Sequence, residues 1–308
     1  VSIDRAGPKE RIGFVGLGEI GQPMAMRVIE AGYPTRVWNR NAARTAPFGD
    51  RGIEIAASPA ALARGCDVVL VCVTDGAAVE QVVFGRDGVA AGGRPGQLLI
   101  DLSTIHPHEV RAMAERLRGQ VGMAWVDAPV SGGPAGARAG TLAAMVGGAA
   151  ADVERARPVL TSFAGKVTHM GPVGCGTATK ACNQMIGFCT AAVIAETLSF
   201  AARFGLDPAL LPDALAGGFA DSSVLRHLGP ALVDGTYTGD GAMGVKDINI
   251  ALDLGRRTGS PMPLTGLVAS MFQLVVSQGF TTGGLGTPMR LYAQGPLTRT
   301  ATEASSLP

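Results

Sequence analysis

Residues 11–32 read as a strand, a glycine-rich turn and a helix, and few folds accept that order. Arg11 to Val15 alternates as a buried strand does, and Gly16-Leu17-Gly18-Glu19-Ile20-Gly21 follows. Pro23 then stands in the first turn of a helix running through Met24, Ala25, Met26, Val28 and Ile29 to a C-cap at Gly32. At a helix N-terminus such glycines let a diphosphate lie against backbone N–H groups, where a Cβ would bar its approach. In a chain with 44 glycines the spacing alone says little; the strand and helix around it give it weight.

A dinucleotide lying there brings its adenosine ribose to the end of the second strand, about twenty residues on. Thr35 to Trp38 reads as that strand, followed by Asn39 and Arg40. A carboxylate at this place would bond the ribose hydroxyl of NAD and repel a 2′-phosphate. Here there is none, and Arg40 offers a planar fork of donors suited to phosphate oxygens. NADP is therefore expected over NAD, with Arg36 and Arg44 adding to the positive field.

The rest of the first half alternates β-branched runs with amphipathic stretches, the pattern of a doubly wound parallel sheet. Strands are expected at Glu54-Ile55, Val68–Val73, Leu98–Asp101, Ala124–Val126, Leu142–Val146 and Lys166–His169, with helices at 59–63, 77–84, 107–117 and 152–163. From Thr177 the apolar period becomes helical and holds to Phe204, with Gly205 as the stop. Further helices are expected at 208–216, 223–233, 246–258 and 263–278, and the tail 298–308 has a small, polar composition. The fold class is α/β: an N-terminal Rossmann-type doubly wound sheet (1–173), then an all-α C-terminal domain (174–308) entered through a long interdomain helix.

Composition narrows the partners. The formal net charge is +1 with no basic or acidic block, which argues against nucleic acid and anionic membrane surfaces. Only 17% of residues are charged, so apolar surface is expected to be covered in a homo-oligomer. No apolar run approaches the roughly eighteen residues of a membrane span, and residues 1–10 lack a signal-peptide core. Five scattered cysteines without a C-x-x-C pair fit reduced thiols in a cytoplasm. Cys175, Cys182 and Cys189 recur every seven residues, the spacing of one helical stripe and of small buried hydrophobes. His106 and His108 flank a proline, and His169 and His227 stand alone, so no metal site is expected.

Ligands of such sheets bind beyond the strands' carboxyl ends, where Val73-Thr74-Asp75, Ser103-Thr104 and Asp127 to Gly133 bring polar groups. The Thr104 hydroxyl has two readings, a bond to the nicotinamide half of a cofactor or a cap for the helix near Pro107. Ser131-Gly132-Gly133 offers a hydroxyl and unhindered N–H groups, a nest for a carboxylate or simply a flexible loop. Lys180 is the leading proton donor, with Asn183 one turn on along the same helical face. In an apolar cleft beside a second cation such as Lys246, its ammonium would lose its proton more easily. The alternative is an exposed helix lysine.

Four motifs occur in order: Phe14-Val15-Gly16-Leu17-Gly18 with Gly21, Asp127 to Gly133 with Gly136 and Gly140-Thr141-Leu142, Gly174-x-Gly176 with Lys180 and Asn183, and Lys246-Asp247. With them the chain resembles the β-hydroxyacid dehydrogenase family from Ile12 to about Tyr292. The resemblance implies that Lys180 is the acid/base, that Asn183 orients a small carboxylate-bearing substrate, and that Ser131, Gly132 and Gly133 bind its carboxylate. It further implies that Val73, Thr74, Thr104 and Lys246 border the cofactor, and that Asn39-Arg40 marks an NADP-preferring branch. The activity implied is reduction of small oxo-acids or semialdehydes to hydroxyacids. Rivals on the same fold are an imine reductase, which generally lacks the lysine, and a non-catalytic interaction protein. Three positions depart from the family pattern. Glu19-Ile20 brings a carboxylate into the glycine loop, Gln184 stands where many members carry a second asparagine, and Gly239-Asp240-Gly241 lacks a bulky aromatic.

Overall fold

The computed structural model describes residues 9–237, 241–280 and 284–292. The tail 298–308, most of the first ten residues, and Gly239 and Asp240 lie outside the described residues. The chain divides into two compact units, residues 1–180 and 181–308.

The first unit opens with β1 (Ile12–Val15), α1 (Gly21–Glu30), β2 (Thr35–Trp38), α2 (Ala46–Gly49), β3 (Glu54–Ile55), α3 (Pro59–Arg64), β4 (Val68–Val71) and α4 (Gly76–Phe84). It continues with α5 (Val89–Gly92), β5 (Leu98–Asp101), α6 (Pro107–Val121), β6 (Ala124–Asp127), β7 (Val130–Ser131) and α7 (Gly133–Ala139). Next come β8 (Leu142–Gly147), α8 (Ala150–Leu160), β9 (Ala164–Gly171) and the start of α9 (Cys175–Phe204). The sheet runs β3-β2-β1-β4-β5-β6-β8-β7, with β9 paired to β8. Pairing is parallel from β3 to β6, so β1, flanked by β2 and β4, is the switch point where ligands of such sheets bind.

A wholly parallel sheet was expected, and beyond β6 the structure differs. β8 meets β6 and β7 antiparallel, the chain turning back through β7 and α7 between Pro129 and Gly140.

Strand residues alternate between two cores. Ile12, Phe14, Val68, Leu70, Leu98 and Ile100 pack on one face, whereas Val15, Val69, Val71, Leu99 and Trp125 pack on the other. Burial on both faces explains the nearly unbroken apolar runs of β1, β4 and β5. Gly13 is needed for close approach, since a Cβ there would run into Leu62 and Cys66. Burial also pushes the Cys66 thiol up to about 12 and keeps it protonated.

The second unit holds most of α9, α10 (Leu211–Ala214), α11 (Ser223–Asp234), α12 (Gly241–Thr258) and α13 (Pro263–Ser277), with no strand among the described residues. Ile194, Leu198, Leu225 and Leu232 form one core, and Phe188, Ile248 and Phe272 another. Phe188 and Phe272 meet edge to face, with centroids 4.9 Å apart.

Two expectations about α9 need correction. By length and composition it is a helix long and apolar enough to cross a membrane. Its polar residues, Asn183 and Gln184 among them, interrupt every apolar run, which hid this from a count of consecutive residues. Of its three cysteines Cys182 is exposed and Cys175 and Cys189 only half-buried, so the stripe is not a core seam.

Asp67 ties the base of β4 to Arg11 at 2.7 Å and to Arg94 at 3.0 Å. The hydrogen bond from Arg11, aided by both charges, holds its carboxyl well below the usual range despite some burial. A lowered carboxyl contributes stability above its unfolded value, near pH 4, and loses it as the pH falls. Asp67→Asn is therefore expected to cost about 1 kcal/mol or less at pH 7, with the gap to the parent narrowing below about pH 4 in urea titrations.

Candidate active site

The glycine loop is braced from β2. Gly16 N–H donates to Trp38 O at 3.0 Å, and Leu17 N–H donates to Asn39 Oδ1 at 2.8 Å. Asn39 also donates to Asn41 O at 2.9 Å, so its amide is committed to holding the loop. Gly16 has φ +98°, and a Cβ on it would collide with Cys72 O; one on Gly21 would collide with Gly16 O. Gly18 is different, since a Cβ there would meet nothing within 4 Å. Glu19 is exposed, Ile20 is half-buried, and no side chain caps α1. An uncapped helix start behind a loop open at Gly18 fits a dinucleotide diphosphate, which would lie on Gly16 to Gly21. When bound, the nicotinamide of such a cofactor supplies or accepts a hydride.

At the end of β2, Arg40 is exposed and makes no ion pair among the described residues. Arg44 reaches Leu17 O at 3.4 Å. Arg36 was expected to add to the positive field, but it pairs with Glu54 at 2.7 Å and is neutralised there.

The ends of β4 and β5 are tied together by buried polar groups. Ser103 N–H donates to Asp101 Oδ1 at 3.0 Å, and Val73 N–H donates to Ser103 Oγ at 3.1 Å. Val73 and Thr104 are half-buried and Thr74 is exposed. Thr104 does not cap α6. His106 does, accepting from His108 N–H at 3.2 Å in a capping box with Glu109, because it stands immediately before Pro107.

Lys180 is buried at 7% exposure, which removes the exposed-lysine alternative. Its Nζ donates to Val130 O at 2.9 Å, next to Ser131. Lys180 and Ser131-Gly132-Gly133 are thus neighbours. Gly132 and Gly133 have φ +127° and +61°, and a Cβ on Gly133 would meet nothing within 4 Å. Both glycines lead into α7, a helix whose start carries no side-chain cap, so the segment is an ordered turn aimed at a helix N-terminus.

In the sequence, the group that sets this geometry reads only as the opening of a polar strand end and of a motif, with no task of its own. Asp127, fully buried at the end of β6, accepts from Gly174 N–H and Thr177 N–H, each at 2.8 Å, and from Thr177 Oγ1 at 3.3 Å. It caps α9 from a distant strand, one turn before Lys180. Its signal was a carboxylate ending a buried apolar strand, as Asp101 also is. Burial raises its carboxyl above the ordinary value, and the hydrogen bonds offset this only in part.

Asn183 and Gln184 belong to the second unit. Asn183 Nδ2 donates to Gln184 Oε1 at 3.0 Å, and Gln184 Nε2 donates to Asp247 Oδ2 at 2.6 Å. Lys246 pairs with Asp247 at 3.0 Å. No group of three or more metal-ligating side chains occurs among the described residues.

Asp127→Ala leaves the amides at the head of α9 without their acceptor. An expected loss of about 1–3 kcal/mol per unsatisfied buried group should appear as a lower denaturation midpoint. A raised carboxyl also makes stability fall as the pH climbs from about 4 through the folded value, and the alanine variant should lack that slope.

Comparison with known proteins places this geometry. Residues 11–171 match the family described as the NAD binding domain of 6-phosphogluconate dehydrogenase. Residues 174–291 match the NAD-binding domain of NADP-dependent 3-hydroxyisobutyrate dehydrogenase. The L-threonate dehydrogenase of Cupriavidus necator is 35% identical over 271 residues, covering 87% of this chain and 91% of its own. The 2-hydroxy-3-oxopropionate reductase of Escherichia coli is 33% identical over 275 residues, covering 87% and 92%. Among solved structures, a 3-hydroxyisobutyrate dehydrogenase of Mycobacterium tuberculosis, studied with L-serine, superposes with a TM-score of 0.82 at 30% identity, covering 92% of this chain and all of that one. With both halves matched and relatives spanning nearly its whole length, the chain belongs to the β-hydroxyacid dehydrogenase family.

Proposed function

We propose that the protein is an NADP-dependent reductase of small oxo-acids and semialdehydes, acting reversibly on the matching β-hydroxyacids. The observation that carries this is the buried Lys180 ammonium, held at 2.9 Å by the Val130 carbonyl beside Ser131-Gly132-Gly133. A proton donor on α9 and an anion nest after β7 are brought side by side, as a substrate with a carbonyl near a carboxylate requires. The named substrates of the Cupriavidus and Escherichia relatives, small hydroxyacids and oxo-acids, agree with it.

In this reading the Ser131 hydroxyl and the Gly132 and Gly133 amides grip the carboxylate. Lys180 gives its proton to the substrate oxygen as the carbonyl is reduced, and takes it back in the reverse direction. The Val130 carbonyl fixes the ammonium without neutralising it. Val73, Thr74 and Thr104 border the nicotinamide half of the cofactor, and the family resemblance assigns Lys246 to the cofactor and Asn183 to the orientation of the substrate.

NADP is favoured over NAD because Asn39 is spent on the loop and leaves Arg40 as the exposed group at the strand end. A homo-oligomer is supported by Ile186, Val193, Phe200 and Phe204, each more than half exposed along one stripe of α9.

An NADPH-oxidation screen over glyoxylate, succinic semialdehyde, tartronate semialdehyde and methylmalonate semialdehyde tests the reading, with cyclic imines as the contrasting class. Turnover of imines alone would overturn it. Lys180→Ala should lower kcat by about a hundred- to ten-thousand-fold while the Kd for NADPH stays nearly constant. Arg40→Ala should raise the KM for NADPH by about 10- to 100-fold, the loss of one charge-assisted contact, and leave the KM for NADH almost unchanged.

A further inference from the structure

Four side chains of the second unit form a chain whose order is set by charge. Lys246 Nζ lies 3.0 Å from Asp247 Oδ1, Gln184 Nε2 donates to Asp247 Oδ2 at 2.6 Å, and Asn183 Nδ2 donates to Gln184 Oε1 at 3.0 Å. An ionised carboxylate only accepts, so Asp247 can face the amide nitrogen of Gln184 but not its oxygen. The Gln184 oxygen is then turned toward Asn183, and only the Asn183 nitrogen can answer it. Either amide alone could sit in two orientations; coupled to the carboxylate, each keeps one. Asp247, with 12% of its side chain exposed, anchors the chain, and the two amides are half-buried.

The consequence falls on Asn183. With its nitrogen committed to Gln184, its Oδ1 is held on the other side as an acceptor. A hydroxyacid offers that acceptor an O–H at the reacting carbon, whereas the oxo-acid has no hydrogen there to give. We infer that Gln184 is a positioning residue that relays the charge of Asp247 to Asn183 and fixes the Asn183 oxygen as acceptor for the substrate hydroxyl. The inference rests on the reductase reading of the same site. Gln184 touches no reacting atom in it; it decides which end of Asn183 a ligand meets, and so favours the hydroxyacid over its oxo partner.

The test uses the full-length protein and measures both directions of the reaction. Gln184→Ala should raise the KM for the hydroxyacid about tenfold, the loss of roughly 1.4 kcal/mol, while the KM for the oxo-acid and the Kd for NADPH move by less than about threefold. In Gln184→Glu the residue facing Asn183 still presents an accepting carboxyl oxygen, protonated or ionised, so the Asn183 order is kept without the amide. In that variant the hydroxyacid KM should stay within about threefold of the parent's, a rescue by the conservative change. Equal changes in both KM values for Gln184→Ala, or a hydroxyacid KM in Gln184→Glu raised as far as in Gln184→Ala, would indicate a merely structural glutamine and overturn the proposal. Neutron diffraction of the deuterated protein reads the amide order without turnover: deuterons on the Gln184 atom facing Asp247 support the relay, and deuterons on the atom facing Asn183 overturn it. A parent protein inactive on every acid aldehyde would sink the reductase reading instead, and the neutron map would still decide the relay.

Discussion

Asp127 is the group on which the geometry of the first unit turns. A carboxylate at the end of a buried strand accepts the amides of Gly174 and Thr177, and thereby fixes where α9 begins and how it is rotated. One turn later, the same rotation brings Lys180 back to the carbonyl of Val130, three residues beyond Asp127 on its own segment. The loop from Asp127 to Val130 is clasped at both ends by one helix. The arrangement needs small residues around it, and Gly147 and Gly176 supply them; a Cβ on either would come within 2.5 Å of Asp127 atoms. Burial raises that carboxyl even with its hydrogen bonds made.

The glycine loop follows a similar logic with different parts. Asn39 is a neutral residue that the sequence places where a ribose would arrive, and in the folded chain its side chain is a strut between β2 and Leu17. Removing a carboxylate from that strand end does two things at once. It frees the place from negative charge, and it supplies an amide able both to accept from the loop and to donate to Asn41. The next residue, Arg40, stands exposed with no ion pair among the described residues.

Much of the architecture was legible because the relevant signals are local. β2, β3 and β5 lie where β-branched runs and their flanking polar residues put them, and Ser58 caps α3 directly before Pro59. What escaped notice depends on partners far away in sequence. Nothing near Asp127 announces that its acceptors will be used about fifty residues later, and nothing near Arg36 announces Glu54. The antiparallel return through β7 and α7 is hidden in a stretch of small residues that reads equally well as loop. His106 outcompeted Thr104 as cap because position next to Pro107 counted for more than the usual preference for a hydroxyl. The apolar length of α9 was missed because its polar residues interrupt every run of consecutive apolar ones.

Gly16, Gly18 and Gly21 belong to one motif, yet the forces that keep them differ. Two are demanded by the protein's own backbone, which would collide with any larger residue. The middle one has no such internal enforcer, since the space beyond it is empty of protein. A stable fold would retain the outer pair by itself, whereas the bare central position leaves room for a diphosphate laid on the loop.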